Sequence, residues 1–414
     1  MANNPRFGVL AKLSRDGRLL FATRMIRLFG YGLLAVVLVL YLVSAGLTNR
    51  QVGVLLTLTL VGDTAISLWI TTNADRIGRK MMLIVGAALM VVAGLVFIAT
   101  KNFALLLVAA TFGVISPSGS EVGPFLAIEQ ASLSGTLEAT DRTAIFGWYN
   151  LVGSLATALG ALAGGWGAQI LETSGRSALD SYKIVISVYA LLGFVLMAFF
   201  ACLSKEVEVD PLLLPKTSRL GLHKSRKVVL RLSGLFALDA FAGGLVLQSI
   251  VSYWFVIRFH AQPAVLGDMF FGANLLAGIS ALLAARLAAR FGLINTMVFT
   301  HLPSNVLLML VPLMPNLGSA IAVLFARFAI SQMDVPARQS YVMHVVDPDE
   351  RSAAAGVTGV ARTVGSAISP AIALPLLGSV ALIGVPFFLA GGLKIVYDLV
   401  LYGSFKAQAR DGSA

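Results

Sequence analysis

The chain is built from apolar runs about as long as the hydrocarbon core of a bilayer is thick. A core of roughly 30 Å takes about 20 apolar residues in a helix rising 1.5 Å per residue. Read between charge and Gly/Pro breaks, the sequence contains twelve such runs: 19–44, 51–71, 81–100, 103–131, 143–170, 183–204, 230–257, 263–289, 294–315, 318–345, 353–377 and 382–403. Of 414 residues, 57% are hydrophobic and 12% charged, against about 25% charged in a soluble globular chain. No water-facing fold hides that much apolar surface, so a soluble enzyme and a disordered chain are excluded. The expected architecture is an all-α membrane protein of twelve transmembrane helices. Polar Met1–Arg18 is not followed by a short apolar stretch with a small-residue cleavage site, so no removable signal peptide is expected. Cys202 is the single cysteine, which excludes an internal disulfide framework and a multi-Cys metal site.

The net charge of +11 would suit a polyanion partner, but its placement says otherwise. With a cytoplasmic N-terminus, most Lys and Arg residues fall in the two tails, the even-to-odd loops and the linker, and only Arg50, Lys101, Arg176, Lys183 and Arg258 lie at the outer face. That asymmetry is the positive-inside rule. It removes the main support for nucleic-acid binding and puts both termini in the cytoplasm. The setting is a plasma membrane, or the inner membrane if the source is bacterial. A basic segment with Pro211 and Pro215 separates spans six and seven. The expected division is therefore a bundle over 1–204, a cytoplasmic linker over 205–229 and a bundle over 230–414.

Residues 129–147 (EQASLSGTLEATDRTAIFG) and 338–356 (RQSYVMHVVDPDERSAAAG) align without a gap. They share Gln130/Gln339, the acid–Arg pairs Asp141-Arg142 and Glu350-Arg351, Ala144/Ala353 and Gly147/Gly356. Each block lies where an even span returns to the cytoplasm, so the two six-helix bundles are expected to be pseudo-symmetric copies. Between spans two and three the sequence reads Asn73-Ala74-Asp75-Arg76-Ile77-Gly78-Arg79-Lys80. This resembles the signature loop of the major facilitator superfamily, Gly-x-x-x-Asp-Arg-x-Gly-Arg-Arg/Lys, with Thr71 in place of the first Gly. Ala288-Ala289-Arg290-Phe291-Gly292 is a degenerate copy in the second half. Span five carries Gly147, Ala156, Gly160, Ala161, Gly164 and Gly165, similar to the superfamily's antiporter motif, with Ala161 where that motif has Pro. The resemblance implies a monomeric secondary transporter working by alternating access. It also implies that spans one, four, seven and ten line a central cavity and that Asp75 caps span eleven, with Arg76, Gly78 and Arg79 completing the loop.

Ionisable residues within spans are costly and mark function by default. Setting aside Asp268 and Arg286 near the two ends of span eight, the charges within the spans are six bases (Arg24, Arg27, Arg327, Arg338, Arg362, Lys394) and six acids (Asp63, Glu121, Glu129, Asp239, Asp334, Asp398), and eight of these twelve fall on spans one, four, seven and ten. Arg24, Arg27 and Tyr31 share a face of span one; Arg327, Asp334, Arg338 and Tyr341 share a face of span ten. Pro117, Gly119, Gly123 and Pro124 flank Glu121, the composition of a broken helix. Glu121, Asp239 and Asp334 are candidate proton carriers, and Gln248 follows Asp239 along span seven. Glu129–Arg338 and Asp63–Arg362 are expected gate pairs, and Lys394–Asp398 a local i, i+4 pair.

No phosphate-binding loop, zinc-protease motif or nucleophile elbow is present, so the chain reads as neither an ATP-driven pump nor an enzyme, and no cofactor is implied. The expected function is proton-coupled export of an amphipathic small molecule. The alternatives are an organic-anion carrier using Arg27, Arg327 and Arg338, a divalent-metal carrier using His344, Met343, Met333 and Asp334, and a non-transporting receptor or scaffold.

Overall fold

The computed structural model describes residues 13–135, 139–208, 225–347 and 350–411. The described residues form helices and no strand. Among the described residues, eleven segments are long and apolar enough to cross a bilayer. In chain order α1 is Arg15–Ser44, α2 Asn49–Ile77 and α3 Arg79–Ala99; span four is split into α4, Phe103–Phe112, and α5, Phe125–Gly135. Then come α6, Ala139–Thr173, and α7, Ala178–Ala201. Span seven is α8, Arg226–Gly244, and α9, Gln248–Phe259; α10 is Pro263–Phe291 and α11 Leu293–Leu310. Span ten is α12, Leu317–Ser331, and α13, Asp334–Val345; α14 is Arg351–Leu377 and α15 Val385–Asp411.

Two compact units result, Met1–Leu47 with Gly62–Lys216 and Gln262–Phe271, and Thr48–Val61 with Thr217–Ala261 and Gly272–Ala414. Relative to two contiguous halves, the start of α2 belongs with the second unit and the start of α10 with the first. In the second unit the Ala371 N–H donates to Thr57 Oγ1 at 3.1 Å, and Tyr253 Oη donates to Asn49 Oδ1 at 3.1 Å. In the first, Trp166 Nε1 donates to Asp268 Oδ1 at 2.8 Å.

Spans four, seven and ten, three of the four expected to line a site, are interrupted. In span four, α4 has 10 residues, enough to cross about half the hydrocarbon core. Residues 113–124 then run as turns, with Gly119 at φ 68° and Gly123 at φ 79°, a region L side chains avoid. Inside a bilayer the freed backbone groups need partners, and side chains supply them. Asp63 Oδ1 accepts from the Gly123 N–H at 2.8 Å, Tyr31 Oη donates to Val122 O at 3.3 Å, and Tyr189 Oη donates to Val114 O. The carbonyl of Phe241, beside the break in span seven, accepts from Ser369 Oγ at 2.6 Å. At the break in span ten, the Gln332 N–H reaches Ser280 Oγ at 3.3 Å.

Small residues bring α1 and α6 into backbone contact. A Cβ on Gly160 would lie 2.0 Å from Phe29 O, one on Gly164 2.5 Å from Leu33 O, and one on Gly32 2.1 Å from Thr157 O. The second unit repeats the device between α14 and α8, where a Cβ on Gly365 would lie 2.2 Å from Ala237 O. The span-five glycine register is thus a packing surface in this structure. Gly147 and Gly356, equivalent in the repeat, have nothing within 4 Å of a built Cβ. Gly160→Ala should therefore lower stability by about 1–3 kcal/mol through overpacking, and Gly147→Ala, with open space and helical backbone, should raise it by up to about 1 kcal/mol, as read by thermal unfolding of the purified protein.

Candidate functional site

In the first unit, spans one and four face each other through a buried four-charge cluster. Arg27, fully buried, donates Nη1 and Nη2 to the two oxygens of Glu129 at 2.7 Å each and Nε to Glu121 at 2.8 Å. Arg24 adds Nη1 to Glu121 at 2.8 Å and Nη2 to Asn150 at 3.2 Å. Glu129 also accepts from Thr23 Oγ1 at 3.0 Å and from Tyr149 Oη. The Arg27 guanidinium lies 4.6 Å from the Phe125 ring centre, and that of Arg24 4.3 Å from Tyr149. Two guanidiniums thus meet two carboxylates with no net charge. A fork-to-fork guanidinium–carboxylate pair is the strongest such arrangement, and neutrality with most of its hydrogen bonds made is what makes burial tolerable. Arg24 Nε is buried without a partner among the described residues, whereas Arg27 Nε is matched. Glu121 stays in the break of span four and Glu129 one helical stretch beyond it.

The second unit gathers around Asp239 near the end of α8. Its Oδ1 receives Lys394 Nζ at 2.5 Å, and its Oδ2 receives Arg338 Nη1 at 3.1 Å and Arg362 Nη1 at 3.3 Å. Arg338 also reaches Asp334 at 3.2 Å, one turn back on its own helix. Asp334 opens α13 directly after the break, where the helix N-terminus favours a carboxylate. Asp398 is held by His301 Nδ1 at 2.9 Å and Asn305 Nδ2 at 3.0 Å. Arg327, on the far side of the break, has no hydrogen bond or ion pair among the described residues, and its Nε is buried without a partner. Gln248 opens α9, with its Nε2 buried and likewise unmatched among the described residues.

The expected local pair Lys394–Asp398 is replaced, and each member of the two expected gate pairs holds partners within its own unit. Asp63 and Arg362 have their partners within their own units, Asp63 on the Gly123 N–H and Arg362 on Asp239. Glu129 and Arg338 are likewise engaged by Arg27 and by Asp239 and Asp334. Lys394 and Asp398, spaced for a local pair, turn to Asp239 and to His301 with Asn305. The His344–Met343 arrangement lies outside the described side chains, and so do those of Asp141, Arg142 and Arg351.

In the loop after span two, Gly78 takes φ 118° at the start of α3, and Asp75, exposed, pairs with Arg79 Nε at 2.7 Å. Arg76 is exposed. The acid that caps a helix here is Glu208, which accepts from the Arg79 N–H at 2.7 Å and the Lys80 N–H at 3.1 Å. Lys80 Nζ donates to Leu203 O at 2.8 Å, so the loop is latched to the end of span six. Sequence reasoning did not find Tyr149, Asn150, His301 or Asn305. Their single positions on apolar helices carry no pattern.

Comparison with known proteins agrees with this architecture. Over 419 aligned residues the chain is 31% identical to a Saccharomyces cerevisiae protein named Uncharacterized membrane protein YJR124C, covering 94% of this chain and 93% of that one. The structure of a D-xylose-proton symporter superposes with a TM-score of 0.69 at 12% identity, over 93% of this chain and 96% of its own. The nucleoside transporter NupG gives 0.67 at 12% identity, over 95% and 100%. At such identities the likeness is one of fold. A family model of the Major Facilitator Superfamily matches residues 20–370. With its twelve spans, its duplicated halves and that match, the chain belongs to the Major Facilitator Superfamily of membrane transporters.

Proposed function

We propose that this protein is a secondary active transporter that exports an amphipathic small molecule in exchange for protons by alternating access, with both termini cytoplasmic in a plasma membrane and the chain acting as a monomer. The observation that carries the reading is the placement of charge at the breaks of the interrupted spans: Glu121 within one break, Asp334 at the edge of another, and Asp239 close to the third. A purely structural bilayer protein has no use for charges at that depth, whereas a transporter needs polar groups that exchange partners as its site opens to each side. The fold is also one on which a D-xylose-proton symporter is built. The rival reading, a receptor or scaffold, would keep the fold without needing these carboxylates.

A second reading of the substrate, an organic anion, has its own support. Three cations converge on the single carboxylate of Asp239, and Arg327 is unmatched among the described residues. An anionic substrate group would satisfy cations that the protein's own acids leave over.

The test is a substrate screen on the purified chain in proteoliposomes with an imposed pH gradient, using labelled amphipathic cations, neutral compounds and carboxylates. Gradient-dependent accumulation of at least one class is expected, and the class names the substrate charge. If none responds in either gradient direction, proton coupling is lost as a reading.

A further inference from the structure

Span nine contributes nothing to the residues that sequence reasoning singled out, yet it places His301 inside the second charge cluster. His301 is buried in α11, with Nδ1 2.9 Å from Asp398 Oδ1 and Nε2 4.0 Å from Asp239 Oδ1. Lys394 Nζ sits 2.5 Å from that same Asp239 oxygen. Asp398, fully buried, has its other oxygen on Asn305 Nδ2 at 3.0 Å. Neutral imidazole has one N–H and one lone pair, and imidazolium has two N–H groups. Here both ring nitrogens face carboxylates. With Asp398 ionised, the proton of the neutral ring belongs at Nδ1, and the Nε2 lone pair then confronts Asp239.

The described charged and titratable groups on helices packed against α11 are Arg327 on α12, Asp334, Arg338 and Tyr341 on α13, and Lys394, Tyr397, Asp398 and Tyr402 on α15. Asp239 comes from α8, and Arg362 of α14 joins through that carboxylate. Tyr397 meets the His301 ring edge-to-face at 6.1 Å.

We propose that His301 is a proton-holding residue of the second unit and that its proton governs the grip of Lys394 on Asp239. A proton from water adds at Nε2, giving an imidazolium whose second N–H nitrogen lies 4.0 Å from Asp239 Oδ1. That oxygen already carries Lys394, so two cations compete for it, and their repulsion favours release of Lys394. Returning the proton to water restores the lone pair and leaves Oδ1 to Lys394 alone. Proton binding on span nine is thereby converted into a change of partners between α8 and α15. The inference rests on the proton-coupled reading for its consequence in transport, but the titration itself is independent of any substrate.

The experiment is NMR of the full chain in lipid nanodiscs with 15N-labelled histidine side chains, across about pH 5 to 9, the range in which histidine changes charge. Replacing His223 and His344 by Gln and His260 by Asn, which tolerates the left-handed backbone there (φ 52°), leaves His301 as the sole histidine signal. The expected result is a resonance that passes between neutral and doubly protonated forms. Its midpoint should move in opposite senses, by about one pH unit or more, in Asp398→Asn and Lys394→Met. A ring that keeps one protonation state throughout, or a midpoint that neither substitution moves, overturns the proposal. A titrating His301 in a chain that shows no gradient-driven uptake would sink proton coupling and leave the proton-holding role standing; a fixed His301 in a coupled transporter would do the reverse.

Discussion

Asp239→Ala is expected to be the most damaging single substitution in the second unit, lowering stability by about 3–5 kcal/mol, the usual cost of leaving buried charge uncompensated. Lys394, Arg338 and Arg362 would be left facing one another with their common anion gone. Asp239→Asn keeps an oxygen in place and should be milder. Removing a cation together with the anion should recover part of the loss, so Asp239→Ala/Lys394→Met is expected to be more stable than Asp239→Ala alone. Thermal unfolding of the purified variants in detergent reads all three. A single Asp239→Ala variant as stable as the parent would mean that the cluster contributes nothing to the fold. Asp239→Asn also addresses function. If it is expressed and folded but has lost gradient-driven uptake, a receptor or scaffold reading fails; if uptake is intact, Asp239 is no part of the coupling route.

What could be read from the sequence, and what could not, follows from the range of each signal. The spans were legible because each is a continuous run whose length the bilayer fixes. The break in span four was legible because Pro117, Gly119, Gly123 and Pro124 crowd around Glu121, and Pro and Gly act on the backbone where they stand. The break in span ten also had a local sign, since Pro336 occupies the first turn of α13, where proline is tolerated. Partners were not legible. Arg27 and Glu129 are 102 residues apart, and Lys394 and Asp239 are 155 apart. Helical spacing identifies which residues share a face and is silent on which helix that face meets. For that reason the i, i+4 spacing of Lys394 and Asp398 suggested a local pair, while the folded chain offers each a stronger partner from another helix. Asp63 shows a second limit. Its carboxylate serves a backbone N–H freed by the break in span four, and no pattern of side-chain charges encodes the needs of a distant main chain. His301 shows the plainest one, a lone histidine in an apolar run that becomes part of a charge network only when three helices converge on it.

The Arg27–Glu129 pair should behave as one unit. Arg27→Met leaves Glu129 buried with only the hydroxyls of Thr23 and Tyr149, and it strips Glu121 of one of its two guanidiniums. Glu129→Gln leaves a fully buried guanidinium with Glu121 as its single counter-charge. Each change alone is expected to cost about 3–5 kcal/mol. The double variant removes one charge of each sign, keeps the cluster neutral, and should cost less than the sum by up to about 3 kcal/mol, the upper range for residues in direct contact. Arg27→Lys is the sharper comparison. A lysine preserves the charge, but its single ammonium cannot place two parallel donors on Glu129 and a third on Glu121 from the same planar group. If charge alone held this cluster together, Arg27→Lys would unfold at the parent temperature. If the fork geometry does, it should fall close to Arg27→Met, and the cycle built from Arg27→Lys and Glu129→Gln should show a coupling close to that of the cycle built from Arg27→Met, whereas charge alone would make it much smaller. All the groups concerned lie within the first unit, so the measured coupling belongs to spans one and four and their neighbour α6. An additive double variant would show that these three contacts, short as they are, do not act together.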